Sequence, residues 1–254
     1  AEDSGGMAVG SVIVITSGKG GTGKTSLTGG VGASLALLGK QVLCLDGDVG
    51  LRNLDITLGM TDAALMDFSD VMAGRCDLSR AAVPHPTVSG LHLLTAPLTL
   101  PGDFPGEAGF QALLQQAREA YDYVLIDSPA GLGPGFRLAV CGADRAIVVA
   151  VSDPSSLRDA QRVVTQLSQL ETIHLVVNRV RPRLLRRQNT TIDDAMDTAG
   201  LPLLGLVPED PKVVLAATEG RPLAQLGARR GAVRAYENIA RRLTGQPVPL
   251  MGLR

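Results

Sequence analysis

Cysteine is scarce in these 254 residues: Cys44, Cys76 and Cys141 are three in number and far apart along the chain. They supply neither a disulfide framework nor a CxxC metal or redox pair, and a reducing, cytoplasmic setting is the expectation. Charge of either sign is in no excess, since 24 basic and 25 acidic side chains leave a net charge of −1. No global field draws the chain to nucleic acid or anionic lipid, which excludes a strongly basic binder. No apolar run approaches the ~18 residues that span a bilayer, and the N-terminus lacks the charged and apolar regions of a secretory signal. Repeats, low-complexity tracts and Ser/Pro linkers are missing too, so residues 7–243 are expected to form a single domain followed by a short tail, 244–254. Residues 1–6 form a small polar stretch ahead of Met7 that resembles a cloning remnant and is set aside.

What is present is apolar material, 45% of the chain against 19% charged, enough to bury a core and too little charge for a disordered polypeptide. It is arranged as short β-rich runs at Ser11–Thr16, Gln41–Leu45, Leu91–Thr95, Tyr123–Ile126, Ala146–Val151, His174–Asn178 and Leu203–Val207. Most are apolar on both faces, as a parallel sheet covered by helices on both sides requires. Helical spacing occupies Phe110–Ala120, Ser155–Leu170 and Arg229–Leu243 between and after them. The order predicts an α/β fold with a doubly wound, mostly parallel sheet. Pro97–Gly109 and Arg179–Asn189 are the least regular stretches. The second carries Arg179, Arg181, Arg183, Arg186 and Arg187, which in a chain with twenty Arg and four Lys reads first as a solvated loop.

Gly18-Lys19-Gly20-Gly21-Thr22-Gly23-Lys24-Thr25 satisfies G-x-x-x-x-G-K-[ST] between the first strand and a helix, followed by Ser26. Its glycines let backbone N–H groups converge on phosphate oxygens, Lys24 supplies charge near the β- and γ-phosphates, and Thr25 offers a hydroxyl to Mg²⁺. Asp46-Gly-Asp48-Val-Gly-Leu-Arg-Asn-Leu-Asp55 follows the second strand, where carboxylates face the ligand crevice of an open sheet. Asp46 can reach the Mg²⁺ shell and Asp48 can orient an attacking water. Tyr123–Asp127 is an apolar strand ending in a carboxylate suited to a Mg²⁺-bound water, and Gly131–Gly135 beyond it suits a γ-phosphate switch.

Two of the four lysines, Lys19 and Lys24, lie inside this one loop. The pattern K-G-G-x-G-K-[ST] resembles the deviant Walker A loop of the MinD/ParA family of P-loop ATPases, which includes nitrogenase iron protein and Mrp-type carriers. D-x-D-x-G-L-R-N-L-D and D-S-P-A-G resemble its cell-division site-selection members. The resemblance, spanning Met7 to Leu243, implies an ATP-hydrolysing, Mg²⁺-dependent switch that forms a homodimer on binding ATP. It implies that Lys19 reaches the partner's phosphates in trans, as an arginine finger does. Regulatory proteins of the MinC/MinE or MinJ/DivIVA kind are the partners it suggests. The positions Asn178-Arg179 and Pro208-Glu209-Asp210 resemble the family's adenine-binding loops, with an amide for the base edge and a guanidinium to stack on it. No N/T-K-x-D guanine element is present, and ATP is expected over GTP.

The ending departs from the pattern. Pro247 and Pro249 interrupt Thr244–Arg254, and Leu250, Met251 and Leu253 are a small apolar set, so membrane association is expected only if an amphipathic segment lies beyond Arg254. The cysteines have no close partner for an iron–sulfur cluster, Tyr121, Tyr123 and Tyr236 do not form a terminal tyrosine cluster, and His85, His92 and His174 stand singly. The alternatives are a ParA-like DNA-partitioning or flagellar-number ATPase, or a slow nucleotide-binding module. For the first, Arg229, Arg230, Arg234, Arg241 and Arg242 offer a basic face, but they also suit the turns of an amphipathic last helix, and nucleic acid is not the expected partner. Gly29, Gly30 and Gly32 weaken the helix after the phosphate loop and are expected to permit close packing.

Overall fold

In a computed structural model, residues 10–182, 191–226 and 230–251 are described. Eight strands form one sheet: β1 (Ser11–Thr16), β2 (Val42–Asp46), β3 (Val83–Pro84), β4 (Leu91–Leu94), β5 (Tyr123–Asp127), β6 (Arg145–Val151), β7 (Thr172–Val180) and β8 (Leu203–Pro208). Their order is β3-β4-β2-β5-β1-β6-β7-β8, and all neighbours run parallel except β3 against β4. The seven expected strands are all present. The two-residue β3 has no periodic signal of its own, and its Pro84 is tolerated because it lies on an edge.

The doubly apolar strands have the predicted cause. Val12, Val14, Leu43, Leu45, Val124 and Ile126 face one core, while Ile13, Ile15, Val42, Cys44 and Leu125 face the other. The first core is closed by α3 (Phe68–Met72), α4 (Leu78–Ala81), α5 (Gly106–Ala120), α6 (Pro134–Val140), α7 (Pro154–Thr165) and α8 (Ile192–Ala199). The second is closed by α1 (Lys24–Leu37), α2 (Leu54–Leu58), α9 (Pro211–Thr218) and α10 (Gly231–Leu243).

Three helix ends differ from the sequence reading. α5 starts at Gly106 after Pro105, so the irregular stretch from Pro97 is shorter than expected. α7 stops at Thr165 although Leu167 beyond it is still fully buried; apolar spacing continued where the helical hydrogen bonds did not. α10 begins at Gly231, where the Ala232 N–H donates to Asp210 Oδ2 at 3.0 Å; Arg229 lies outside the described residues.

Helix α1 carries the phosphate loop at its N-terminus, and its glycines do what their positions suggested. A Cβ on Gly30 would stand 2.2 Å from the ring of Tyr236 on α10, one on Gly32 2.4 Å from Cys44 Sγ on β2, and one on Gly29 2.8 Å from Thr57. The bare backbone lets α1 lie directly on the sheet and on α10, which fixes where the loop before it opens. Gly30→Ala is expected to destabilise the protein by about 1–3 kcal/mol through overpacking. Gly102→Ala, with nothing within 4 Å of the added Cβ, should stay within about 0.5 kcal/mol of the parent; urea unfolding of both variants measures the difference.

Candidate nucleotide site

The C-terminal ends of β1, β2 and β5 meet where the strand order reverses, and every expected phosphate- and metal-site residue is brought there. Gly21 and Gly23 take positive φ angles of 77° and 92°, which turn the loop tightly enough to start α1 at Lys24. The start of α1 has no side-chain cap and no acidic residue in its first turn. Its free N–H groups and positive dipole end therefore remain for an anion. Lys24 is buried, with Nζ donating to Ser17 Oγ at 3.0 Å. Burial lowers its pKa, opposed by the nearby carboxylates of Asp127 and Asp48.

Asp46 and Asp127 end neighbouring strands and are paired in register. Both are almost fully buried, 1% and 2% exposed, with no Arg or Lys bonded to either among the described residues. Burial pushes Asp46 up to about 6 against the pull of two backbone N–H donors, Asp48 at 2.9 Å and Leu54 at 3.1 Å. Burial pushes Asp127 to about 7, with the Thr25 hydroxyl opposing and the Asp46 charge adding to the rise. Asp48, less buried, is raised by desolvation and lowered by Lys24.

Whether this donor set fits Mg²⁺ is answered by its unmet bonding. Asp127 Oδ1 is buried without any hydrogen-bond partner, as is Thr22 Oγ1 in the phosphate loop. Two hard carboxylates and a hydroxyl, Thr25, suit a small oxygen-seeking cation that keeps waters and phosphate oxygens for its remaining positions. Among the described residues there is no group of three or more His, Cys, Asp or Glu that could form an all-protein metal cage. The fit is thus to a cation shared with a phosphate ligand.

Asn178, Arg179, Pro208, Glu209 and Asp210 come together with Gly23 and Ser26 in one cavity of about 560 Å³, so the two expected base loops do meet. Their side chains are less free than the sequence suggested. Asn178 is buried and donates to Thr22 O at 2.8 Å, while its Nδ2 would lie 2.3 Å from a Cβ on Gly23; it braces the phosphate loop. Asp210 caps α9 through Lys212 N at 3.0 Å, and Glu209 forms a fork with Arg181. Arg179 adopts φ 51°, a left-handed conformation that turns the chain at the cavity. Arg183, Arg186 and Arg187 lie outside the described residues.

Lys19 is held within its own chain. Its Nζ donates to both carboxylate oxygens of Asp153 at 3.2 Å and to Ser155 Oγ at 3.0 Å, at the start of α7. Sequence reasoning missed this pair, and it missed Ser17 and the Tyr236 wall of the base cavity. Asp153-Pro-Ser-Ser is legible as a helix start and Asp153 does accept from Ser156 N, but nothing local links it to Lys19. Tyr236 is separated from the cavity's other lining residues by too much chain to leave a pattern.

The raised carboxylates give a pH dependence. In the folded, metal-free protein Asp46 and Asp127 hold protons that the unfolded chain has already lost, so their contribution to stability is full below about pH 4 and disappears as pH rises through about 6 and 7. A divalent cation favours the ionised forms. The thermal upshift on adding Mg-ADP should accordingly be larger near pH 7.5 than near pH 5.5, and this pH difference should shrink in Asp127→Asn; thermal unfolding at about those two pH values checks both.

Comparison with known proteins places the geometry in a lineage. The family model described as the CobQ/CobB/MinD/ParA nucleotide binding domain matches residues 13–223. The septum site-determining protein MinD of Synechocystis sp. is 40% identical over 243 residues, covering 94% of this chain and 91% of that protein. The MinC:MinD cell division protein complex of Aquifex aeolicus superposes with a TM-score of 0.88 at 38% identity, covering 95% of this chain and 98% of that one. MinD of Pyrococcus horikoshii, solved with Mg-ADP, does so with 0.80 at 28% identity over 92% of this chain and 95% of its own. With its phosphate loop, paired carboxylates and doubly wound sheet, this chain belongs to the CobQ/CobB/MinD/ParA nucleotide-binding family, and within it to the MinD ATPases of cell division.

Proposed function

We propose that the site works as an ATP-hydrolysing switch whose nucleotide state controls pairing of two copies of the chain, and that the observation carrying this reading is the buried Asp127 Oδ1 left without a partner beside Lys24, Thr25 and Asp46. The backbone of Gly18–Ser26 and the Lys24 ammonium bind phosphate oxygens. Thr25, Asp46 and Asp127 hold Mg²⁺ directly or through its waters. Mg²⁺, when bound, offsets negative charge on the β- and γ-phosphate oxygens. Asp48 lies at the mouth, less buried than the other two carboxylates, and orients the attacking water. Asn178, Arg179 and the Pro208–Asp210 turn line the base cavity, with Asn178 acting chiefly by holding the loop at Thr22.

Pairing of two copies with their phosphates near one seam needs a cation from each, and Lys19 is the one not committed to its own phosphates. In the single chain it rests on the partly exposed Asp153 and the exposed Ser155, so moving it costs an ion pair that solvent already weakens. The Aquifex relative is known in complex with MinC, and a regulator of that kind is the protein partner we infer here. No described helix is long and apolar enough to cross a membrane, and we infer peripheral membrane attachment only for a form of the protein that carries an amphipathic segment beyond Arg254.

Asp48→Ala should keep ATP affinity, measured by calorimetry, within a few-fold, and slow single-turnover hydrolysis by ~10²-fold or more. Unchanged hydrolysis would remove Asp48 from the chemistry. Lys19→Ala should bind ATP as a monomer and lose ATP-induced dimers in light scattering. If mixed dimers of Lys19→Ala and Asp48→Ala form without hydrolysing faster than the two variants apart, Lys19 does not act in trans.

A further inference from the structure

The D-x-D-x-G-L-R-N-L-D segment contains an arginine that no step of the reaction uses. Arg52 sits in the loop between β2 and α2, where neither sheet nor helix bonds hold the chain. Its φ is 45°, a left-handed conformation that a side-chain-bearing residue keeps only when its surroundings enforce it. The guanidinium reaches toward the end of β4. Its Nε donates to the Ala96 carbonyl just beyond β4, and Nη2 lies 3.4 Å from Asp67 Oδ2. Both side chains are mostly covered, 27% and 16% exposed.

The anchor on the far side is firm. Asp67 caps α3, accepting from Ser69 N at 2.8 Å and Ser69 Oγ at 2.6 Å, while Asp70 Oδ2 accepts from Asp67 N at 3.0 Å. Phe68 N donates to Thr95 O at 3.0 Å, tying that cap to the end of β4. On the near side the connection to Asp48 is direct. Leu51 N at 3.2 Å and Arg52 N at 3.5 Å both point to the Asp48 carbonyl, and Gly50 N donates to Pro97 O at 3.2 Å. A planar fork that reaches a carbonyl and a carboxylate at once thus fixes the residue whose own backbone is turned onto Asp48.

We propose that Arg52 is the positioning residue of the Asp48 loop, clamping it to the Ala96 carbonyl and the Asp67 cap so that Asp48 stands in place before nucleotide arrives. This rests on Asp48 being the water-orienting group, and the test separates the two. Arg52→Ala should lower kcat by ~10-fold or more with KM for ATP within about 2-fold, since misplacing a group that orients water rather than binds phosphate loses rate rather than affinity. In the Asp48→Ala background the same change should cost less than about 2-fold, because Arg52 acts through Asp48. Hydrogen exchange in the nucleotide-free full chain should quicken at the amides of residues 48–54 and stay unchanged in β1 and β5. Arg52→Lys keeps charge and stem for folding but loses the fork, and it should show the same kcat loss and the same local exchange. Slow Asp48→Ala with fully active Arg52 variants, or fully additive losses in the double variant, would overturn the positioning role alone. A fully active Asp48→Ala would overturn both it and the water-orienting assignment.

Discussion

Two carboxylates taken out of water side by side are the constraint around which this protein is organised. Asp46 and Asp127 are in register on neighbouring parallel strands, and the cation that offsets Asp127 is Lys24, itself resisting charge because it is buried. Such an arrangement is costly for a protein that needed it only for stability. It becomes favourable when a divalent cation and phosphates supply the missing charges, so the fold keeps a bonding deficit that its ligand removes.

Everything that holds the deficit in place is backbone-tight. The phosphate loop turns through two left-handed glycines, α1 lies against α2, α10 and the sheet through three more, and Asn178 reaches across from β7 to hold the Thr22 carbonyl. Rigid packing of this kind lets the anion end of α1 meet the carboxylates without rearrangement. Asp48 and Lys19 sit outside that frame. Asp48 is on a loop that Arg52 joins to the Ala96 carbonyl, and Lys19 is on an exposed pair with Asp153.

Much of the fold was legible in the chain because parallel strands buried on both faces have a plain signature. All seven longer strands were found from apolar runs alone, whereas the switch point is set by their spatial order in the sheet, which chain order does not give. The helix ends were less legible. Leu167 continues the apolar spacing of α7 beyond its last helical bond, and Gly106 begins α5 where composition suggested a loop. Burial and hydrogen bonding are different requirements, and periodicity reports only the first.

The site divides along the same line. Sequence by itself determined the chemistry that is local in the chain: a glycine turn before Lys24 and Thr25, and acids closing two strands, because residue type and spacing within one turn already dictate what those groups can bind. Tertiary structure alone decided the rest. Asn178 came to brace the phosphate loop at Thr22, Lys19 found Asp153 134 positions away, Tyr236 filled the space over Gly30, and Arg52 found Ala96 44 positions on. These contacts join segments that only the folded sheet and its helices bring within reach, and a side chain's partner across such a distance leaves no trace in local spacing.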